Sequence, residues 1–548
     1  MTFVRDGITL LGLDPIRRAG RTADAVDVKD RTLYFCPSIL YGYGIDRLLA
    51  SLDAKAPNSA VLCIEADSEL YDLTMQHIDP VLMQNKKLHI TNICSAEQLC
   101  TLVNKLWGAM AFHRIEMIKF TGGFQLNGEL YESLCHALRR EIATDLGNVM
   151  TLAKLGRLYI RNFFCNLPLV SEFPSMECLS FGSAPILVLG AGPSLDETLD
   201  ALDPCYAKAE NRPFGIVCVD TCLGSLRERN IEPDLVVILE SQHWNLRDFI
   251  GCRGWNIAAA IDLSALPSST RQLGGNGYLF FTPWTNLRIF NRLSKAKLLP
   301  LTIPPLGSVG LTAVEISRRL TKGKIICAGL DFSFTADKYH ARGSPGHRAG
   351  INIQTRFRRI LNTIVFDKSS VGAVSKKGEA VYTSPSLKHY RNLFIQEFAG
   401  DLRLYDIIDS GLSLGIKTLS LKNAIEMLEN KEFCREQTKN NGLVRQPGWL
   451  SNNSNVFCGK MNNSMEKAII FLNNEKKQLE ELKNILTGEI TADQKRLNVL
   501  IDECDYLWAH FPDCSQSRPL NLESDSALSF LKRVRLEIEP VLKLLIDK

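Results

Sequence analysis

The sequence lacks any uninterrupted apolar stretch of about 18 residues, the length that a membrane-spanning helix requires. Its first twenty residues contain only a short apolar patch followed by further arginines, so they lack the continuous apolar core of a signal peptide. Both absences argue against contact with a membrane. We therefore expect a cytoplasmic protein.

The chain also has little net charge and no compositional bias. It carries 64 Lys and Arg against 60 Asp and Glu, a formal charge of +4 over 548 residues, which argues against nucleic acid as the main partner. Hydrophobic residues make up 45% and charged residues 23%, as in ordinary globular proteins. The length exceeds what one hydrophobic core supports and predicts about three domains.

Sixteen cysteines are present, but no pair has the CxxC spacing of a metal or redox motif. Cys63, Cys218 and Cys327 lie inside apolar, strand-like runs, where cysteine behaves as a small buried hydrophobe. The pattern predicts structural thiols and no metal site.

An N-terminal α/β domain is predicted over residues 1–130. Four apolar runs, TLYFC, SAVLCIEAD, LHITNI and IEMIKF, alternate with helical patterns, as in a parallel sheet with crossover helices. The turn Tyr41–Gly44 resembles part of a dinucleotide-binding fingerprint, but the third glycine is missing. We interpret it as a structural turn.

Residues 131–180 have a helical pattern and form a predicted connector to a second α/β domain over 181–430. Seven apolar runs separated by helix-sized intervals follow: PILVLG, FGIVCVD, DLVVILE, NIAAAID, GYLFFT, KIICAGLDF and LRLYDII. This pattern predicts a doubly wound, Rossmann-like sheet.

The remaining residues predict a linker and a helical bundle. Residues 431–463 are rich in Asn, Ser, Lys and Gln and are typical of a linker. Over 464–548, apolar residues recur at helical spacing, and a capping-box pattern at Thr491–Gln494 marks the start of a helix. Such apolar stripes usually form a bundle core.

The strongest chemical signal is a glycine-rich turn between the apolar run ending at Leu189 and a helical pattern. Its residues are Gly190, Gly192, Pro193, Ser194 and Leu195. Glycines let a backbone approach a phosphate or ribose, and the helix N-terminus supplies N–H groups. The alternative is tight strand–helix packing; in a doubly wound sheet we favour nucleotide binding.

Other polar residues are expected at the same edge of the sheet, because ligands of open α/β sheets bind at the carboxyl ends of the strands. The predicted nucleotide-binding set is completed by Asp220, Thr221, Glu240, Ser241, Gly307, Ser308, Gly310 and Gly329. Any single one of these could instead belong to a helix cap or a turn.

Asp331, Tyr339 and His340 are the candidate catalytic residues. Asp331 ends a predicted strand, and His340 follows it in a polar loop, where a side chain with a pKa near neutrality suits a general base. A loop histidine can equally be solvated and idle. His347 is the competing base.

These motifs, taken together, resemble the motility-associated factor glycosyltransferases. The turn GAGPSLDE, the segment AGLDFSFTADKYHARG, the tetrapeptide at 382–385 and the segment at 409–411 occur in consistent order over most of residues 30–430. The resemblance implies transfer of a CMP-activated nonulosonic acid, of the pseudaminic, legionaminic or sialic type, to Ser or Thr of flagellin, in the service of flagellum assembly and motility.

The central domain is also similar to bacterial sialyltransferases that use CMP-sialic acid. This similarity assigns the nucleotide to the turns at Gly190 and Ser308 and to the strand at Gly329, and leaving-group stabilisation to Tyr339. Tyr339 matches the second of two such tyrosines in those enzymes; the first is Ser333 here, and an asparagine that ends a strand is Asp220. The implied reaction is direct displacement with His340 as base, with no metal and no cofactor besides the donor.

Two alternatives remain from the sequence. The central domain resembles a pterin pyrophosphokinase, in which Asp220, Glu240 and Asp331 would bind magnesium for ATP. The chain could also be a non-catalytic module that binds flagellin, with a decayed central site.

Overall fold

The computed structural model describes residues 3–108, 111–357, 359, 370–429, 454–491, 493–511 and 525–546. The chain divides into two compact units, which are described separately. The first comprises residues 1–156 with 510–518, and the second comprises 157–509 with 519–548. Within the described ranges, no helix is both long and apolar enough to cross a membrane.

The first unit is built on a four-stranded parallel sheet of order β5-β4-β3-β6. Its strands are β3 (Thr32–Pro37), β4 (Ala60–Ile64), β5 (Leu88–Thr91) and β6 (Arg114–Met117), preceded by an antiparallel pair, β1 (Phe3–Arg5) and β2 (Ile8–Leu11). Every residue of β3 and β4 is buried, as expected of parallel strands covered by helices on both faces. The predicted N-terminal α/β fold is confirmed.

Helices cover this sheet and connect its strands. They span Pro15–Asp24, Ile45–Lys55, Ser68–His77, Pro80–Met83, Ala96–Trp107 and, continuing into the second unit, Gly128–Asn166. The turn at Gly44 has a φ of +84° and leads directly into the helix Ile45–Lys55. A Cβ at Gly44 would lie 2.8 Å from the Ala19 carbonyl oxygen, so this glycine is required by the turn.

The second unit contains a nine-stranded parallel sheet of order β12-β11-β10-β9-β8-β7-β13-β16-β17. The strands are β7 (Ile186–Leu189), β8 (Gly215–Val219), β9 (Leu235–Ile238), β10 (Ala258–Asp262), β11 (Gly277–Phe281), β12 (Leu301–Thr302), β13 (Ile325–Ala328), β16 (Leu404–Ile407) and β17 (Lys417–Leu419). A separate hairpin consists of β14 (Val371–Val374) and β15 (Ala380–Thr383). All seven predicted strands are present, and the doubly wound sheet is confirmed.

The order of the strands creates a switch point beside β7. From β7 the chain runs through β8 to β12 at one edge and then returns, through the helix Val309–Leu320, to β13 on the other side of β7. Connections therefore leave the carboxyl ends of β7 and β13 in opposite directions. A crevice at such a point is the usual ligand site of an open α/β sheet.

Within the residues that the structure describes, ten further α-helices belong to this unit. They span Leu195–Ala201, Leu223–Glu228, Arg288–Lys295, Val309–Leu320, Pro345–Asn352, Pro385–Phe398, Leu421–Glu429, Ser454–Thr487, Gln494–Glu503 and Asp525–Ile546. The last three lie in the C-terminal region, for which the sequence predicts a bundle. Arg292 pairs with the buried Glu475 at 2.7 Å, and Tyr506 donates a hydrogen bond to the same carboxylate. The first of these contacts fastens the C-terminal region to the helix Arg288–Lys295.

Two details of the C-terminal region differ from the sequence prediction. The helix Ser454–Thr487 begins within the predicted linker 431–463, of which residues 431–453 lie outside the described ranges. The next helix is capped by Asp493, whose carboxylate accepts a hydrogen bond from the Arg496 N–H, and does not begin at Thr491. A carboxylate at the helix N-terminus also interacts favourably with the helix dipole.

Candidate functional site

A cavity of about 430 Å³ opens at the carboxyl ends of β7 and β13. Nine of the sequence-predicted residues line it, namely Gly190, Gly192, Thr221, Ser308, Gly310, Gly329, Asp331, Tyr339 and His340. Seven others do not, namely Pro193, Ser194, Leu195, Asp220, Glu240, Ser241 and Gly307. The cavity therefore lies at the switch point that the strand order defines, but only part of the predicted set of residues lines it.

The turn after β7 packs directly on the turn after β13. Gly190 and Gly192 donate backbone hydrogen bonds to the carbonyls of Ala328 and Gly329, both at 2.8 Å. A Cβ at Gly190 would lie 2.4 Å from the Gly329 oxygen, and one at Gly192 would lie 2.5 Å from Cγ of Asp331. These glycines are thus required by the contact between the two turns. Substituting either would disturb the protein itself before it affected a ligand.

The N-terminus of the helix Leu195–Ala201 already has a carboxyl group beside it. The Asp331 carboxylate accepts hydrogen bonds from the Ser194 backbone N–H, at 2.8 Å, and from the Ser194 hydroxyl. The expectation that this turn presents its N–H groups to a phosphate is therefore not met at Ser194. Ser194 and Leu195, both buried, form the support beneath the cavity.

Asp331 belongs to a buried network of charged side chains. The Ser194 hydroxyl also lies 3.1 Å from an oxygen of Asp409. Lys376 places its ammonium 2.6 Å from Asp406 and 2.9 Å from Asp409, and all three side chains are at most 5% exposed. The network thus connects the hairpin β14–β15, the end of β16 and the floor of the cavity.

The Ser194 hydroxyl can donate only one hydrogen bond, yet it faces two carboxyl groups. A proton on Asp331 or Asp409 would make the second contact a full hydrogen bond as well. Burial, and then the charge of Asp409, raises the pKa of Asp331 to about 7. Asp331 is thus the group that holds this proton below neutral pH.

We expect Asp331→Asn to flatten the pH dependence of stability. A carboxyl whose folded-state pKa is raised stabilises the fold below its unfolded pKa near 4, and this contribution is lost as the pH rises towards 7. The amide mimics the protonated carboxyl at every pH. The free energy of unfolding of the variant, relative to that of the parent, should therefore rise by roughly 1–3 kcal/mol from pH 5 to pH 8. Urea unfolding at both pH values measures this by tryptophan fluorescence, since five of six tryptophans lie in residues 157–509. An unchanged difference between variant and parent would show that Asp331 stays ionised.

His340 is half-buried, and its ring has a defined orientation. Its Nδ1 lies 3.2 Å from the Ala191 carbonyl oxygen, which can only accept a hydrogen bond. In the neutral ring the proton therefore sits on Nδ1, and Nε2 carries the lone pair. Burial lowers the pKa of His340. The hydrogen bond with the Ala191 carbonyl opposes this effect, and the nearby His347 lowers the pKa further. The neutral form, which is the one a general base needs, is therefore favoured at neutral pH.

Tyr339 lies beside His340 and packs on Phe334, with ring centroids 4.6 Å apart. Phe334 is in turn held by backbone hydrogen bonds to Tyr382, at the end of the hairpin. Tyr339 is 39% exposed and lines the cavity. This arrangement orients a phenol along the wall of the site.

The carboxylates after β8 and β9 do not reach the cavity. Asp220 is buried and accepts a hydrogen bond from Asn245 at 2.6 Å, while Glu240 is exposed. Burial raises the pKa of Asp220 to about 6, and burial together with Asp220 raises that of Asp248 to about 7. The tips of β8 and β9 thus contribute only Thr221 and Val219 to the lining. Across the described residues, no group of three or more His, Cys, Asp or Glu side chains is arranged to bind a metal.

The other helix that begins at the cavity is Val309–Leu320. Ser308 caps it by accepting a hydrogen bond from the Gly310 N–H at 3.3 Å, and Ser308, Val309 and Gly310 all line the cavity. N–H groups of the first turn of a helix have no carbonyl partner within it. This twelve-residue helix therefore directs the positive end of its dipole at the cavity.

Several lining residues were not predicted as site residues. They are Ala191, Val219, Val309, Leu330, Phe332, Ser333, Phe334, Ser370, Ser384 and Leu387. Ser384 caps the helix Pro385–Phe398, and it belongs to the motif at 382–385 that carries part of the family resemblance. The presence of Ser384 in that motif could have identified it as a site residue. The apolar residues Leu330 and Phe332 follow β13 and lie in the segment AGLDFSFTADKYHARG, which carries another part of that resemblance.

Comparisons with known proteins agree with this architecture. A family model described as "6-hydroxymethylpterin diphosphokinase MptE-like" matches residues 159–337. An uncharacterised protein of Treponema pallidum (strain Nichols) is 31% identical over 536 residues, covering 96% of this chain and 90% of the relative. The solved structure of MAf glycosyltransferase from Magnetospirillum magneticum AMB-1 superposes with a TM-score of 0.53 at 13% identity, covering 98% of this chain and 84% of the other.

Proposed function

The chain belongs to the same family as the Treponema pallidum protein and has the fold of MAf (motility-associated factor) glycosyltransferase, and from this premise we propose that it is a glycosyltransferase. The observation that carries the proposal is the cavity at the switch point between β7 and β13. It combines an oriented neutral histidine, a tyrosine and a capped helix N-terminus in one crevice. These are a base, a hydroxyl donor and an anion-binding element.

The donor in this proposal is a CMP-activated sugar, bound with its phosphate near Val309. The N-terminus at Ser194 is occupied by the Asp331 carboxylate, whereas the helix Val309–Leu320 opens on the cavity. Helix N-termini of this kind favour phosphate through their N–H groups and dipole. The glycines at 190 and 192 contribute by keeping the two turns close together.

We expect Val309→Asp to weaken CMP binding by at least tenfold without loss of the fold. Val309 is the first residue of its helix, where a carboxylate stabilises the helix by about 0.3–1 kcal/mol but repels a phosphate. Val309→Asn has nearly the same shape without the charge and is the matched control. Calorimetric titration with CMP compares the three proteins. Equal affinity of the Asp and Asn variants would place the phosphate elsewhere.

In the proposed reaction, the acceptor hydroxyl oxygen forms a bond to the anomeric carbon while the bond from that carbon to the phosphate oxygen breaks. Nε2 of His340 takes the proton of the hydroxyl, and CMP leaves with the bonding electron pair. The Tyr339 hydroxyl donates to the departing phosphate, together with the N-terminus of the helix Val309–Leu320. His340 thus takes up the proton that is released, and the two donors stabilise the negative charge of the departing phosphate, without a metal or further cofactor.

The sugar and the acceptor follow from the family resemblance of the motifs. We propose that the sugar is a nonulosonic acid, that the acceptor is Ser or Thr of flagellin, and that transfer takes place in the cytoplasm. The residues that support this are the ordered motifs at 190–197, 328–343, 382–385 and 409–411. The first three of these contribute residues to the lining of the cavity.

A second candidate function is that of an ATP-dependent pterin diphosphokinase, favoured by the family model over residues 159–337. It would require carboxylates for magnesium at the cavity. Asp331 is engaged by Ser194, Asp220 by Asn245, and Glu240 is exposed. Incubation with ATP, magnesium and hydroxymethyl-dihydropterin tests this candidate. We expect no AMP to form, and AMP production would favour the kinase over the glycosyltransferase.

A further inference from the structure

The first unit contains an open groove of about 940 Å³, with a chemistry different from that of the cavity. One wall is the helix Pro15–Asp24, and the other is the end of β6 with the residues that follow it. Its charged lining includes Arg17, Arg18 and Arg21 on the helix and Glu116 and Lys119 on the facing wall.

The helix wall presents three arginines to solvent. Arg17, Arg18 and Arg21 are exposed, and none of them forms an ion pair with any residue that the structure describes. The opposite side of the helix is buried through Ala19 and Ala23, so the helix cannot rotate its arginines away from the groove. Like charges one turn apart on a helix repel, which makes this wall attractive to an anionic ligand.

The carboxylates of the groove only partly offset these cations. Asp14 caps the helix, accepting a hydrogen bond from the Arg17 N–H at 3.2 Å, and Asp27 lies 3.5 Å from Lys29. Lys119 lies on the facing wall, where its ammonium is 3.5 Å from the Phe124 ring centroid and 3.9 Å from the Glu132 carboxylate. The excess positive charge of the groove therefore lies on the helix wall, because Glu116 and Lys119 offset each other on the facing wall.

The second wall is an edge of the sheet. In the order β5-β4-β3-β6, the strand β6 has a hydrogen-bonded neighbour on one side only. Ile118 donates its N–H inward to the Phe35 carbonyl, so the N–H of Met117, the last residue of β6, is directed away from the sheet. Outward backbone groups of an edge strand pair readily with another extended chain.

We propose that this groove binds an extended acidic segment of a partner protein, which adds to the edge of β6 as a strand and places its carboxylates against the three helix arginines. The backbone of such a segment can form hydrogen bonds with the edge of β6. Its carboxylates, at alternate positions along the strand, then face the cations on the helix wall. A nucleic acid fits less well, because Asp14, Asp27 and Glu116 would face its continuous phosphate charge. The proposal is independent of the chemistry at the cavity.

The test uses the full-length protein and a fluorescein-labelled synthetic peptide of alternating Glu and Val. Fluorescence anisotropy at 50 mM NaCl measures its binding to the parent and to the variant Arg17→Glu, Arg18→Glu, Arg21→Glu. We expect the triple variant to bind at least tenfold more weakly. A second variant with Gln at these three positions keeps the helix polar and should show the same direction of change.

The matched control is the variant Arg139→Glu, Arg140→Glu, Lys154→Glu, which changes the net charge by the same amount at exposed positions elsewhere in this unit. It should bind like the parent. A peptide N-methylated at alternate residues should lose affinity, because it cannot complete the backbone ladder. The proposal is overturned if the control loses as much affinity, if N-methylation has no effect, or if a single-stranded oligonucleotide displaces the peptide at a lower concentration than unlabelled peptide does.

Discussion

Replacing Lys376 by Met should lower the free energy of unfolding of the second unit by about 3–5 kcal/mol, because removing one partner of a buried ion pair leaves uncompensated charge behind. Lys376 faces Asp406 at 2.6 Å and Asp409 at 2.9 Å, and these carboxylates are almost completely buried. Burial disfavours the charge on the Lys376 ammonium, but the two carboxylates outweigh this effect and its pKa is raised. Methionine has nearly the volume of the lysine side chain but carries no charge.

Lys377 provides a matched control one residue away. It pairs with Glu197 at 2.6 Å, but both side chains are at least one-third exposed. Lys377→Met should therefore cost less than about 1 kcal/mol. Urea unfolding followed by tryptophan fluorescence compares the two variants. Adding Asp406→Asn to Lys376→Met should recover part of the loss, since it removes one of the stranded charges. Equal stability of the two lysine variants would contradict the network.

Replacing His340 by Ala should reduce the rate of sugar transfer by about 10²–10⁴ while CMP binding stays nearly intact, as expected for removal of a general base. The reason lies in the geometry. Nδ1 faces the Ala191 carbonyl at 3.2 Å, which leaves Nε2 as the proton acceptor within the lining of the cavity. Transfer is measured with purified flagellin and the CMP-activated sugar, and binding by calorimetry with CMP.

His347→Ala separates the two candidate bases and adds a pH signature. His347 contributes to the lowered pKa of His340, so its removal should move the acid limb of kcat/KM to higher pH while leaving the plateau rate nearly unchanged. In the parent, that limb should lie below the ordinary histidine range, because activity requires the neutral ring. If His347→Ala abolishes transfer and His340→Ala does not, the base is His347.

The sequence predicted the sheets well because their strands are continuous apolar runs. Each of the seven runs of the second unit is a strand, and so are the four of the first. The edge strands β12 and β17 were missed. They are two and three residues long and only partly buried, so they carry no apolar pattern. Hydrogen bonding to an existing sheet, which depends on tertiary structure, makes them strands.

The site was predicted less completely, since its internal contacts join residues far apart in the sequence. Asp331 meets Ser194 across 137 residues, and Ser194 meets Asp409 across 215. A glycine-rich turn before a helix is typical of phosphate binding, and no local signal indicates that a carboxylate from another strand takes that position. Lys376 likewise sits in a polar hairpin sequence that is typical of a solvated surface, although its ammonium is buried.

The measurement that tests the central claim most directly is the intact mass of flagellin from cells with and without this chain, and from cells complemented with the parent or with His340→Ala. The proposal predicts that flagellin loses the mass of one or more nonulosonic acid residues when the chain is absent. It also predicts that the parent restores this mass and that the His340→Ala protein, present at the same level, does not. Identical flagellin masses in all four strains would contradict the assignment of this chain as the flagellin glycosyltransferase.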